Sequence, residues 1–227
     1  MFETNIELLK NNRYPGRLIV MGWDETREKF VQVYAIMGRS ENSRNRIFVM
    51  ENGVLKTKAF DESKVQDPSL IIYEAMVQSG SFHVVSNGVQ TKDIAQKLNS
   101  QMDFFDTLTN WNYEPDEPNW TPRISGYFDT KTKRAALSII KKSGDATERL
   151  VFEIENEPRC IHTYKEDGNP LPSFEDEPYM VPLEGSAKEI AQFYWDILNE
   201  ENKVALAVKV IDPKTDTFEM EIINKLK

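Results

Sequence analysis

Histidine and cysteine are scarce in this 227-residue chain, which has His83, His162 and a single cysteine, Cys160. A lone cysteine cannot pair within the chain, so no internal disulfide staples the fold, a usage that agrees with a reducing compartment. The same scarcity argues against a structural zinc site; a carboxylate-rich magnesium site stays open, although the carboxylates show no recognisable spacing for it. A Ser-His-Asp triad would have to recruit one of two histidines that read as structural, and no Gly-x-Ser-x-Gly elbow is present. A Gly-x-x-x-x-Gly-Lys loop and a Gly-x-Gly-x-x-Gly turn after a strand are also missing, so nothing points to a nucleoside triphosphate or dinucleotide cofactor. No apolar run approaches the roughly 18 residues that span a membrane. Met1 to Arg13 lacks the basic start, apolar centre and small-residue cleavage site of a signal peptide, so the expectation is a cytoplasmic protein without a membrane partner. Positive charge is short as well: 28 Lys and Arg stand against 37 Asp and Glu, a net charge of -9. That balance argues against a broad nucleic-acid surface, whose affinity comes mainly from cationic side chains on phosphates. An anionic ligand would need a local basic cluster.

What is present is enough for a well-filled core. The chain is 40% hydrophobic, and its length reads as one domain, 1–227, with 1–13 as an N-terminal extension. Apolar and β-rich segments predict strands at Arg17 to Trp23, Phe30 to Met37, Arg46 to Glu51, Val54 to Phe60, Leu70 to Val77, Phe82 to Ser86, Ile124 to Phe128, Ala135 to Lys141, Leu150 to Glu155, Val204 to Ile211 and Phe218 to Ile223. Most are joined by short turns and are therefore antiparallel. Asn52-Gly53 is a hairpin signal, because both residues tolerate the positive φ of a type I′ turn. Helices are expected from about Thr91 to Asn110 and from Ala187 to Asn199. In the second, Ser186 and Glu189 form a capping box ahead of an apolar face of Ile190, Phe193, Tyr194, Ile197 and Leu198. Stacked sheets covered by helices, an α+β architecture, follow. Two proline- and acid-rich segments, Glu114 to Pro122 and Glu157 to Pro182, read as functional loops in which proline forbids regular helix or central strand.

Three clusters carry possible chemistry. Gly38-Arg39-Ser40-Glu41-Asn42-Ser43-Arg44-Asn45-Arg46 puts three arginines and two serines between two strands, either a solvated connection or a phosphate cradle built from guanidinium forks and hydroxyls. Arg17, opening the first strand after Tyr14-Pro15-Gly16, can approach it. Ser86-Asn87-Gly88-Val89-Gln90-Thr91 turns a strand into a helix, whose free amides accept an anion or carbonyl oxygen or simply cap a turn. Tyr113-Glu114-Pro115-Asp116-Glu117-Pro118-Asn119-Trp120-Thr121-Pro122-Arg123 holds carboxylates, an amide and an arginine in a kinked segment, suited to placing a general acid or base, or merely surface.

In this order and spacing the clusters resemble the archaeal-type inosine monophosphate cyclohydrolase family. The resemblance rests on Tyr14-Pro15-Gly16-Arg17, Gly38-Arg39-Ser40 through Arg44, Asp67-Pro68 through Tyr73, Val84-Val85-Ser86-Asn87-Gly88, and Tyr113-Glu114 through Asn119 with Thr121-Pro122-Arg123. It continues through Thr163-Tyr164 and the Ser186 helix. It implies a four-layer αββα sandwich like that of the N-terminal-nucleophile hydrolases, without their freed nucleophile. It also implies conversion of 5-formamidoimidazole-4-carboxamide ribonucleotide to inosine monophosphate and water, with no cofactor, a purine ribonucleotide as the small-molecule partner, and a homo-oligomer. The chain departs from the family pattern in residues 1–13, in Pro115 and Pro118 beside Glu114, and in a longer Glu166 to Pro182 segment.

The roles the resemblance implies are catalysis by Arg39, Tyr73 and Glu114, and substrate binding by Arg17, Ser40, Arg44, Asn87, Gly88 and Arg123. Arg39 and Arg44 would bind the 5′-phosphate or polarise the formyl oxygen, and Tyr73 would donate to that oxygen. Glu114 would take a proton from the carboxamide nitrogen or orient it. Asn87 and the Gly88 amide would hold the base or carboxamide, with Arg123 and Arg17 as further phosphate ligands. Competing readings are a non-catalytic or altered-substrate nucleotide-binding paralogue, and an amide hydrolase using an internal Ser or Thr. Trp111, Trp120 and the edge strands are candidates for a subunit interface.

Overall fold

The computed structural model describes residues 2–65, 68 and 71–227. Its elements are α1 (Phe2–Asn11), β1 (Arg17–Trp23), β2 (Phe30–Met37), α2 (Glu41–Arg44), β3 (Arg46–Glu51), β4 (Val54–Ala59), β5 (Glu74–Ser79), β6 (Phe82–Ser86), α3 (Gln90–Asn99), α4 (Phe104–Leu108), β7 (Arg123–Asp129), β8 (Ala135–Ser143), β9 (Ala146–Glu153), β10 (Arg159–His162), β11 (Tyr179–Met180), α5 (Ala187–Ile197), β12 (Lys203–Asp212) and β13 (Thr217–Asn224). They form two antiparallel sheets, one ordered β11-β10-β1-β2-β12-β13 and the other β3-β4-β5-β6-β7-β8-β9.

The central strands of the first sheet are apolar on both faces because both faces are covered. Along β1 and β2, Ile19, Met21, Phe30, Tyr34 and Ile36 point between the sheets and meet Phe48, Met76, Ile124 and Phe128 of the second sheet. The alternate residues Leu18, Val20, Val31 and Val33 face outward onto Leu9 of α1 and Ile190, Ala191 and Tyr194 of α5. On the far side, Ile94, Ala95 and Leu98 of α3 and Phe104 and Leu108 of α4 cover Val77, Val84, Tyr127 and Ala136. The arrangement is an α+β sandwich with its helices on the two outer faces. At one end Phe30 and Phe128 stack at 3.9 Å, with Trp23 edge-on to both, clamping the sheets together.

Where local chemistry was strong, the elements follow it. Asn52 and Gly53 have φ of 51° and 79°, and Glu51 pairs with Val54 across them. Ser186 accepts from the Glu189 amide while the Glu189 side chain accepts from the Ser186 amide. Other expectations need correction. The 91–110 helix is two helices, because Gln101 takes φ 65° and Asp103 caps a new one by accepting from the Phe105 amide. The strand expected from Leu70 begins at Glu74, and residues 66, 67, 69 and 70 lie outside the described set. Most instructively, the 157–182 segment is not barred from the sheet: Arg159–His162 contains no proline and pairs with β1 from Leu18↔His162 to Met21↔Arg159, so β10 is an interior strand. Residues expected as a polar extension form α1, which seats Leu9 in the core and donates from Asn5 Nδ2 to the Met180 carbonyl at 2.8 Å. No helix among the described residues is long and apolar enough to cross a membrane.

Candidate functional site

The entry to β1 is built on a glycine. Gly16 has φ +80°, and a Cβ there would lie 2.3 Å from Thr163 Oγ1 and 2.5 Å from Tyr164 Cδ2. The chain thus closes onto residues 163 and 164, and the Arg17 amide donates to Thr163 Oγ1 at 3.1 Å. The close approach stacks Tyr14 on Tyr164, centroids 5.7 Å apart and 16° from parallel. The Arg39 guanidinium covers the Tyr14 ring at 4.9 Å, while its Nη1 donates to Asp167 Oδ1 at 2.7 Å and to the Gly168 carbonyl at 2.8 Å. Ser40 caps α2 by accepting from the Ser43 amide. Tyr14, Arg17, Arg39, Ser40 and Tyr164 line a cavity of about 320 Å³ together with Ser43, Ile71, Asp116, Asn119 and Leu171.

Arg17 joins this cavity to a buried charged group. Burial opposes its charge, but Glu114, Tyr73, Tyr164 and Tyr14 together raise its pKa well above the ordinary arginine value. Glu114 is 2% exposed. Burial pushes its carboxyl up to about 7, against the pull of Arg17, Arg123 and Arg46. Its position is fixed by its own loop: the Glu114 amide donates to the Thr121 carbonyl at 2.8 Å, the Thr121 amide donates to Asp116 Oδ1 at 2.7 Å, and Thr121 Oγ1 bonds Asp116 and the Tyr164 hydroxyl. The Tyr164 hydroxyl is pushed up to about 12 by burial, so it stays a neutral donor or acceptor. The Tyr73 hydroxyl, also buried, shares a 2.6 Å hydrogen bond with the Tyr34 hydroxyl, and the Tyr73 amide donates to Thr57 Oγ1 at 2.8 Å.

Residues marked out by sequence fall into three places. Arg17, Arg39 and Ser40 line the cavity, and Tyr73 and Glu114 share the electrostatic surroundings of Arg17. Arg123, Asn87 and Gly88 form the wall behind Glu114. Arg123 Nη1 sits 3.5 Å from Glu114 Oε1, but its donors are held by the Asn112 carbonyl and Gln90 Oε1, both at 2.9 Å. Asn87 donates to the Pro122 carbonyl and accepts from the Ile124 amide, and a Cβ on Gly88 would meet Arg123 Nη1 at 2.5 Å. Arg44 stands apart. It donates from Nε to the Gly38 carbonyl and from Nη2 to Asn202 Oδ1, and it lines a different cavity with Glu201, Lys203 and Lys225.

Tyr34 was not among the expected site residues, and Arg46, grouped with Arg39 and Arg44 in the polar loop, had no role of its own. Arg46 is fully buried at the head of β3, donating from Nε to the Ser43 carbonyl at 2.8 Å and from Nη2 to the Met37 carbonyl at 3.0 Å. A signal existed, since Arg46 and Phe48 share strand parity and Phe48 faces the core.

A layered sandwich that buries the Glu114 carboxylate among arginines, beside a cavity lined in part by Tyr14, Tyr164, Arg17 and Arg39, suits a small anionic substrate. The chain belongs to the family of IMP cyclohydrolase-like proteins, whose sequence model matches residues 14–216. A relative is the IMP cyclohydrolase of Haloquadratum walsbyi (strain DSM 16790 / HBSQ001), 27% identical over 199 residues that cover 86% of this chain and 90% of that protein. The match begins at Tyr14 and so leaves α1 outside it.

Proposed function

We propose that this protein is an IMP cyclohydrolase, closing the six-membered ring of 5-formamidoimidazole-4-carboxamide ribonucleotide to give inosine monophosphate and water. The observation that carries the reading is a buried Glu114 held near neutrality beside Arg17, with a tyrosine hydroxyl pair facing the same arginine. Nucleophile and electrophile belong to one molecule, so the protein's task is to hold the reactive conformer and to move protons.

In this mechanism Glu114, as carboxylate, takes one proton from the carboxamide nitrogen, which forms its bond to the formyl carbon. The carbonyl electron pair moves to the formyl oxygen, which receives the Tyr73 hydroxyl proton. Tyr34, hydrogen-bonded to Tyr73, steadies the phenolate. Protonated Glu114 then delivers its proton to the departing hydroxyl as water, and the formamido N–H returns a proton to Tyr73 as the C=N bond forms. Both groups end as they began. A carboxyl that titrates near 7 is matched to both accepting and giving a proton at neutral pH. The 5′-phosphate is read at the cavity mouth, where Arg39, Ser40 and Ser43 stand; Asn87, Gly88 and Arg123 then serve by holding Glu114 in place.

This reading extends to the fold type of the N-terminal-nucleophile hydrolases, used without a nucleophile at the head of β1, where Gly16 and Arg17 stand. It also extends to a cytoplasmic purine-biosynthetic role and to a homo-oligomer, the last of which static light scattering or sedimentation of the purified chain would test. The enzymatic reading is tested by incubating the protein with the formamido ribonucleotide and following inosine monophosphate by chromatography. Formation well above the uncatalysed rate is expected, with Tyr73→Phe slowed about 10²–10⁴-fold. Saturable product binding without turnover would instead favour a nucleotide-binding paralogue.

A further inference from the structure

Among the described residues, two guanidinium nitrogens inside the sandwich are buried without any hydrogen-bond partner, Arg17 Nε and Arg46 Nη1. Buried donors are almost always satisfied, and a charged one left unpaired is costly. Arg46 is not loose: its other two nitrogens are fixed by the Ser43 and Met37 carbonyls, so the free Nη1 has a set direction. The Arg17 charge disfavours that of Arg46, while Tyr73 and Tyr14 favour the charge of both. A ligand acceptor that answers both nitrogens would relieve the repulsion between the two cations.

We propose that Arg46, paired with Arg17, is a catalytic residue that binds the carboxamide oxygen of the substrate and stabilises the imidate formed when the carboxamide nitrogen loses its proton. This rests on the cyclohydrolase reading above. An amide nitrogen is a poor nucleophile until it is deprotonated. When the proton passes to Glu114, the electron pair left on nitrogen delocalises onto the carboxamide oxygen, and no bond to that oxygen is broken. Two cationic donors at the developing charge, that of Arg46 held by its two backbone carbonyls, supply electrostatic stabilisation in a dry site. A phosphate dianion fits this position less well than a carbonyl oxygen, because the Glu114 carboxylate shares the surroundings of both arginines and would repel it. The carboxamide oxygen becomes the hypoxanthine carbonyl oxygen, so the product reports where it was held.

The test is a crystal structure of the full chain with inosine monophosphate, together with kinetics of Arg46→Gln and Arg46→Lys on the formamido ribonucleotide. The expected result is the hypoxanthine oxygen at about 3 Å from Arg46 Nη1 and Arg17 Nε, a kcat lowered about 10²–10³-fold in Arg46→Gln with little change in KM, and an unchanged ratio of inosine to inosine monophosphate affinity. Only partial recovery is expected in Arg46→Lys, which cannot keep both backbone carbonyls and the ligand. A phosphate oxygen on Arg46, or a variant that raises KM at unchanged kcat, would overturn the assignment while leaving the cyclohydrolase reading intact. If neither variant folds, the product complex alone decides. A wild-type protein that neither turns over the substrate nor binds the product would overturn both.

Discussion

Glu114 is where structure and chemistry bear on one atom pair. A carboxyl raised to about 7 by burial is protonated in the fold while the unfolded chain, with an ordinary carboxyl near 4.5, has released its proton. The folded state therefore binds more protons between about pH 4.5 and 7, so stability falls as pH rises through that window. A shift of this size corresponds to about 3 kcal/mol. Glu114→Gln, a neutral amide of the same shape, should unfold at higher urea concentration than wild type at pH 8, by about that amount, and match it near pH 4. A variant equally stable at both pH values would mean that burial does not hold the carboxyl up. Part of the grouping was legible: Arg17, Arg39 and Ser40 line one cavity, as the arginine-rich loop and the Tyr14-Pro15-Gly16 turn suggested. Arg44 and Arg46 were not separable from composition, because Arg44 ends a one-turn helix and lines another cavity while Arg46, two residues on, opens β3 and is buried.

At the scale of elements, the site depends on turns more than on helices. Gly16→Ala would force a Cβ against Thr163 and Tyr164 in a backbone conformation that L side chains rarely adopt. The expected cost is about 1–3 kcal/mol, with a raised KM, since Tyr14 and Arg17 move with that turn. Ser186→Ala, removing the α5 cap, should cost about 1 kcal/mol and leave kcat/KM unchanged, because α5 packs on the outer face of the first sheet. Comparing steady-state kinetics with thermal melts separates the two, and a Ser186→Ala enzyme with altered kcat/KM would refute the division. Strands β1, β2, β3 and β6 were readable to the residue because period and turn residues agree there. β10 was hidden by the prolines around it, although a four-residue window free of proline sufficed for pairing with β1. The ten-residue helix α1 was hidden because its stability comes from docking rather than from its own sequence.

Over the whole molecule, the space between the sheets carries more charge than a core usually tolerates. Lys209 of β12 is 1% exposed, and burial pulls its amine down to about 7, with Asp216 working the other way. The depressed value means that stability is greatest above the ordinary lysine pKa of about 10.5 and is lost as pH falls toward 7. Lys209→Met should therefore stabilise the protein by about 1–4 kcal/mol at pH 7, with the gain shrinking toward pH 10, as read by urea unfolding. A gain that does not vary with pH would assign the effect to packing. The central claim, that this sandwich closes a purine ring by proton transfer through Glu114, is tested most directly by kcat/KM for the formamido ribonucleotide as a function of pH. The account predicts inosine monophosphate formation that rises with an ionisation near pH 7, with Glu114→Gln strongly impaired and without that ionisation. Absence of product in wild type, or a Glu114→Gln enzyme with the wild-type rate and profile, would contradict it.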